Sequence, residues 1–454
     1  MPETGPILYQ IFHYLSGFPL HFCPSPALSL DGWLRAFGWL IPWRDGIWYE
    51  QGPGAHWRTP ADARRAIFQS IATGREGENL PYKSDDWSRQ ALRRAFEFPE
   101  SDSQYRESAN PNCDEDGDEM YHDVLDVVFT AQVEVPVWIE GVPRDVFRGL
   151  ARQFHGHDLH LHQLTVPPDT MRIMVKYLLI QQLGTDLTVR LIRDHYLDAV
   201  ADCIVRAFVQ NSDVGVNWTM FDEASKKAPT LFKPLGSLAD YFCAGQLSNP
   251  LLNQEAAVQL PKLGNLTKTH TLLQLSILLQ DQDQIWYKDF EHLLYVGFDD
   301  YNLQATLIDA SAFATAISSN EDSDRVLILF SGREMKTGER YTLGAFIPCP
   351  SKDGSRIQHA EWEGAMGCLL FELSPVHDIY YGTVGSPAWT MEGNDLAFGD
   401  PNSGVALLLK NNSRQATLVQ KLDGEDEPIY APTAWRGNRH VELELDGVEI
   451  WIEK

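Results

Sequence analysis

The chain has 454 residues, 44% of them hydrophobic and 11% aromatic. That is too apolar for a disordered chain and too long for one comfortable core, so two domains are expected. With 63 acidic against 37 basic residues, the formal net charge of -26 disfavours nucleic acid or anionic lipid as a main partner.

The opening residues Met1-Pro2-Glu3-Thr4 carry no basic stretch leading into an apolar one, and Pro2 offers no myristoylation site. No apolar run reaches the roughly 18 residues of a membrane span, so a cytoplasmic location is the expectation. The six cysteines are scattered without a CxxC pair, which suits neither a disulfide framework nor a zinc ribbon.

Residues 1–245 read as a helical region. Thr59 as N-cap, Pro60 at the first helical position and Gly74 as terminator frame one helix, with Ala63, Ile67 and Ile71 as its stripe. A second helix opens after Pro167-Pro168-Asp169, with Met171, Met174, Val175, Leu178 and Leu179 on its apolar side and Gly184 at its end. A third runs from about Leu187 to Phe208, burying Leu191, Ile192, Tyr196, Val200, Ile204 and Val205. Gly215 to Phe221 reads as an extended piece entering a helix with Trp218 and Phe221 buried. Between Glu97 and Asp123, ten acidic residues stand against Arg106 alone, which marks an exposed loop.

After Pro261 the period changes from helix to strand. Val326–Phe330, Tyr341–Ile347, Cys368–Leu373, Asp378–Tyr381, Val405–Leu409 and Ala416–Gln420 are β-rich runs. Turn residues separate them at Lys336-Thr337-Gly338 and Asp400-Pro401-Asn402, as in an antiparallel sandwich. In the last segment Val441, Leu443 and Leu445 alternate with glutamates, then Asp446-Gly447 intervenes, then Val448 and Ile450 alternate with Glu449 and Trp451. Asp-Gly suits a hairpin turn, and a continuous strand with a local bulge is the alternative.

Two clusters are candidates for chemistry. His155, His157, His160 and His162 lie within eight residues and suggest a metal centre, hence a metal-dependent enzyme. Their helical surroundings and the adjacent Pro167-Pro168 suit a solvated loop instead. Asn112, Asp114, Asp116 and Asp118, with Gly117, match the first half of an EF-hand calcium loop closing at Asp123, hence a calcium sensor. Asn at the first position, Glu119 where an apolar residue belongs, and Asp123 in place of glutamate depart from that loop. Phosphate-binding, dinucleotide-binding, nucleophile-elbow and zincin motifs do not occur, so neither an enzyme nor a cofactor is expected.

Four stretches carry a family resemblance. Tyr341-Thr342-Leu343-Gly344-Ala345-Phe346, Leu369-Leu370-Phe371-Glu372-Leu373, Leu396-Ala397-Phe398-Gly399 and Val448-Glu449-Ile450-Trp451 resemble, in order, four strands of the TLDc domain. Gly5 to Tyr9, Tyr14 to Pro19, Pro60 to Arg65 and Pro143-Arg144-Asp145 resemble the helical region of the restriction of telomere capping branch. The resemblance implies an α+β protein of two domains. A helical, EF-hand-like region would occupy 1–245, and a TLDc β-sandwich flanked by helices would occupy 265–454. Gly344, Phe346, Phe371, Phe398, Gly399, Glu449 and Trp451 become its signature residues. It further implies a non-catalytic regulatory protein linked to oxidative-stress resistance or telomere capping. Its partner would be the vacuolar proton-pumping ATPase, through which it would reach the vacuolar membrane surface.

Overall fold

A computed structural model of the chain describes residues 3–19, 27–40, 60–74, 122–130, 144–155, 161, 164–182, 196–210, 212, 214–236, 238, 264–279, 290–297, 325–348, 368–383, 388–392, 395–410, 413–424 and 426–453. Its helices are α1 (Thr4–Gly17), α2 (Leu30–Leu40), α3 (Pro60–Ile71), α4 (His122–Thr130), α5 (Arg148–His155), α6 (Pro168–Gln182), α7 (Tyr196–Val209), α8 (Trp218–Lys226) and α9 (Thr269–Leu278). The strands are β1 (Thr73–Gly74), β2 (Leu164–Thr165), β3 (Phe290–Gly297), β4 (Arg325–Glu334), β5 (Arg340–Pro348) and β6 (Leu369–Ser374). They continue with β7 (Asp378–Tyr381), β8 (Thr390–Glu392), β9 (Asp395–Asp400), β10 (Ser403–Leu409), β11 (Gln415–Lys421) and β12 (Arg439–Glu453). The chain divides into two compact units, one of residues 1–178, 211–226 and 231–254, the other of 179–210, 227–230 and 255–454.

The first unit is helical, and aromatic packing holds it. Phe12 of α1 meets Phe37 of α2 with ring centroids 4.9 Å apart, and Trp33 stands edge-on to Phe37 at 4.4 Å. Phe68 of α3 packs on Trp218 and Phe221 of α8 at 5.6 and 5.4 Å. The face α3 buries is rotated from the expected stripe. Phe68 is fully buried and Ile71 is buried as expected, while Ala63 and Ile67 are only half covered; the Phe68 side meets the aromatic rings of α8. The helix starts at Pro60 as its fixed φ favours, and its last turn gives way to β1 at Thr73–Gly74.

β1 pairs with β2, and Val166 just beyond β2 forms an antiparallel bridge with Val216. Gly215 makes this possible: it adopts φ +117°, and a Cβ there would stand 2.9 Å from the Val166 carbonyl oxygen. Asn217 then caps α8 by accepting from the Met220 amide at 3.0 Å. The expected burial of Trp218 and Phe221 is present, as is the Met171 to Leu179 stripe of α6.

The second unit is built on one ten-stranded antiparallel sheet in the order β7-β6-β5-β4-β12-β11-β10-β9-β8, with β3 also on β12. The expected β-runs all lie in it. It is one continuous sheet rather than two separately bonded ones, and β12 is the reason. Residues 439–444 of β12 pair with β11 while 447–453 pair with β3, and β4 runs along its other edge from Leu443 to Ile452.

The strands on either side of β12 turn their apolar faces to a shared core. Ile328, Phe330 and Leu343 meet Phe398, Leu407 and Leu418 there, and the Phe330 and Phe398 rings lie 6.0 Å apart. A second layer covers the opposite face, where Leu272, Leu275 and Leu278 of α9 pack on Leu327, Leu329, Phe346, Phe371 and Trp451. β4 is therefore apolar on both sides, which is why Val326–Phe330 reads as an unbroken hydrophobic run. Asp446-Gly447 is a bulge inside β12 and not a hairpin: the pairing to β4 slips by one residue between Leu445 and Gly447.

Candidate functional site

Glu372 interrupts the apolar strand β6, and its cross-strand partner on β7 is Asp378. Both carboxylates are buried. Two like charges directly opposite in a sheet repel, so this pair demands cations. They come from the turn between β11 and β12 and from the first residue of β12. Arg436 grips Glu372 with two parallel hydrogen bonds of 3.0 Å, and Arg439 adds a third at 3.1 Å. Arg436 also lies 3.7 Å from Asp378. Gln420 of β11 holds that turn by donating to the carbonyls of Thr433 and Gly437.

Asp378 uses one oxygen to accept from its neighbour's amide at Ile379 (2.9 Å) and from the Thr433 hydroxyl (3.0 Å). The Lys227 ammonium lies 3.5 Å from the same oxygen. Lys227 also donates to the Ile379 carbonyl and, at 3.3 Å, to Thr433. Beside it, His377 donates Nε2–H to the Lys227 carbonyl at 3.1 Å and its backbone N–H to the Cys203 carbonyl at 3.0 Å. Removing one member of a buried pair of this kind costs about 3–5 kcal/mol, since the partner charge is left behind.

The displaced titrations all move away from neutrality. Burial pushes the Cys203 thiol up to about 12, with Glu372 adding and Arg206 opposing, so it is no thiolate nucleophile. Burial lowers His377 to about 4, which keeps the imidazole neutral. Burial raises the Tyr380 phenol, and Asp378 and Glu372 push it further. Burial works against the charge on Arg436, but Glu372 and Tyr380 outweigh it and hold the guanidinium protonated. The arrangement is a set of opposed buried charges that fixes geometry, and burial shifts neither the Cys203 thiol nor the His377 imidazole toward neutrality.

A second buried carboxylate, Glu449 of β12, closes a turn. It accepts the successive amides of Asn265, Leu266 and Thr267 at 2.9, 2.9 and 2.7 Å, and the Thr267 hydroxyl at 2.8 Å. Successive N–H groups converging on one anion form a nest, and here the chain supplies its own anion. His292 of β3 approaches the same carboxylate at 3.1 Å and stands edge-on to Trp451 at 5.0 Å. Only glycine fits at 264, where a Cβ would collide with Glu449.

The other expected signature residues serve packing. Gly344 lets the Phe371 ring lie against β5, since a Cβ there would overlap that ring and the Ile328 carbonyl. Phe346, Phe371 and Trp451 belong to the layer under α9, and Phe398 to the core between the arms of the sheet. Gly399 takes φ +85° at the end of β9, where a side chain would meet the Val405 carbonyl.

Both metal candidates fall largely outside the described residues. His157, His160, His162, Asp114, Asp116 and Asp118 lie outside the described residues, and His155 is the last residue of α5. Asp123, expected to close the calcium loop, is buried in α4 and paired with Arg65 of α3 at 3.2 Å. Among the described residues no group of three or more His, Cys, Asp or Glu side chains is placed to hold a metal ion. The charge network itself was not foreseen. Its signal was a glutamate inside an otherwise apolar strand, Leu369-Leu370-Phe371-Glu372-Leu373.

A family model described as TLDc domain matches residues 270–454, the stretch that holds Glu372, Asp378, Arg436, Arg439 and Glu449. This chain carries a TLDc domain. Around the TLDc match the compact unit is larger, since residues 179–210 and 227–230 also belong to it. Over 444 residues the chain is 24% identical to a protein of Emericella nidulans named restriction of telomere capping protein 5, covering 89% of this chain and 62% of that protein. A protein of the same name from Fusarium vanettenii is 24% identical over 278 residues, covering 54% of this chain and 43% of that protein. The chain thus spans less than two thirds of the length of either relative.

Proposed function

We propose that the chain is a non-catalytic regulatory protein that docks its TLDc unit on a large protein assembly, the vacuolar proton-pumping ATPase. The observation that carries this reading is the TLDc match over 270–454, laid on a unit whose buried charges neutralise one another. The names of the relatives tie those proteins to telomere capping. For this chain we read that link, and one to oxidative-stress resistance, as downstream of the docking.

The helical unit is read as EF-hand-like. The antiparallel bridge between Val166 and Val216, each just ahead of a helix, supports this, because paired helix–loop–helix units join their loops in that manner. No described helix is long and apolar enough to cross a membrane, so association with the vacuolar surface would run through the partner.

The test is affinity purification of the tagged full-length chain from its native cells, with mass spectrometry of what is captured. Recovery of pump subunits above an untagged control is expected. Their absence, under conditions that keep the pump assembled, would sink the pump reading and leave the TLDc assignment intact.

A further inference from the structure

The family match begins at residue 270, yet the edge of the TLDc sheet is closed in part from upstream: within the match the Ala431 amide donates to the Tyr381 carbonyl, while the Ile379 carbonyl is met by a residue outside it. β7 is the last strand on its side of the sheet. An edge strand offers unpaired backbone groups, and proteins protect it with lysine or with a covering segment. Here one residue does both. Lys227 brings its ammonium to the Ile379 carbonyl on that edge, 3.5 Å from Asp378 and 5.6 Å from the centroids of the Tyr380 and Tyr381 rings. Glu372 already occupies both arginines, and the second oxygen of buried Asp378 has only Arg436 at 3.7 Å and no hydrogen bond. Lys227 therefore adds, from upstream of residue 270, a third cation beside the other oxygen of Asp378, which Arg436 does not reach.

The backbone around it is tied to the same unit. Its carbonyl accepts from His377, whose amide is bound by Cys203. Three residues on, Thr230 gives its amide to Ile277 (3.3 Å) and its hydroxyl to Ser276 (2.7 Å) of α9.

We propose that Lys227–Thr230 is a clasp that completes the TLDc unit, so that the folded, docking-competent form of this domain requires a segment lying upstream of the family match. The inference rests on this geometry and is independent of which partner the domain binds.

Hydrogen exchange on the full-length chain tests it, because the Thr230 amide reports the clasp directly and the His377 amide reports the residue whose ring the Lys227 carbonyl holds. Lys227→Met keeps the length of the side chain and removes its charge. It is expected to speed exchange at those two amides by about tenfold or more, while β10 and β11 keep their protection. Lys227→Arg keeps the charge and should fall between Met and wild type. A Lys227→Met × Asp378→Asn double-mutant cycle should be non-additive in melting, as expected for groups in contact. If Lys227→Met does not accumulate as folded protein, Thr230→Val, which deletes only the hydroxyl bond to α9, should still speed exchange at His377 and Thr230. Unchanged exchange at both amides in a folded variant, or an additive cycle, would overturn the clasp.

Discussion

At the scale of single residues, buried charge here is organised by pairing and not by exposure. Glu372 and Asp378 face each other across two strands, and three cations from elsewhere in the chain make the arrangement tolerable. His377, in the same cluster, remains neutral. Its folded pKa of about 4 lies below the ordinary value of about 6.5, so the unfolded chain takes up a proton first as pH falls. Stability should therefore be level above pH about 6.5, fall between about 6.5 and 4, and level again below, by about 3 kcal/mol in total from this group. Urea denaturation at several pH values measures the slope. His377→Gln should flatten that segment, and an unchanged slope would show that other groups carry it.

At the scale of elements, β12 decides the shape of the sheet. Val441, Leu443 and Leu445 point to the core at odd positions, and Val448 and Ile450 at even ones. Asp446 is the extra residue that switches the parity, so that both halves of the strand face the same core. Inserting one residue between Gly447 and Val448 would shift the second half of the strand by one position, turning Val448 and Ile450 out of the core and Glu449 into it. The insertion is expected to abolish the cooperative melting transition of the sheet unit and sharply lower the soluble yield. Wild-type melting of the insertion variant would refute the account. Alternation and the Asp-Gly break were readable in the sequence, whereas of the stripe Ala63, Ile67 and Ile71 read for α3 only Ile71 is fully buried. A periodic pattern gives a buried face only within the width of a helix stripe, and the neighbours that α3 packs against, Trp218 and Phe221, lie far along the chain.

At the scale of the whole molecule, the net charge of -26 opposes compaction through self-repulsion. Exposed charges respond to salt far more than the buried Glu372 and Asp378 network does. Raising ionic strength from about 20 to 200 mM should therefore raise the melting temperature, and differential scanning calorimetry reads this directly. A decrease would mean that exposed ion pairs such as Arg206–Glu339 outweigh the general repulsion.

The sequence by itself determined the helices α3, α6 and α8, the antiparallel β-rich C-terminal region and the TLDc match, because these rest on local periodicity, turn chemistry and short motifs. It also pointed to Glu449, Phe346 and Trp451 as residues of note, without saying what they touch. Only the tertiary structure decided that Glu449 fills a nest of three amides, that Arg436 and Arg439 answer Glu372, and that Lys227 belongs with Asp378. Those partners are separated by 64 to 184 positions along the chain. Charge pairing across such distances leaves no periodic trace, since it depends on which strands the fold brings side by side.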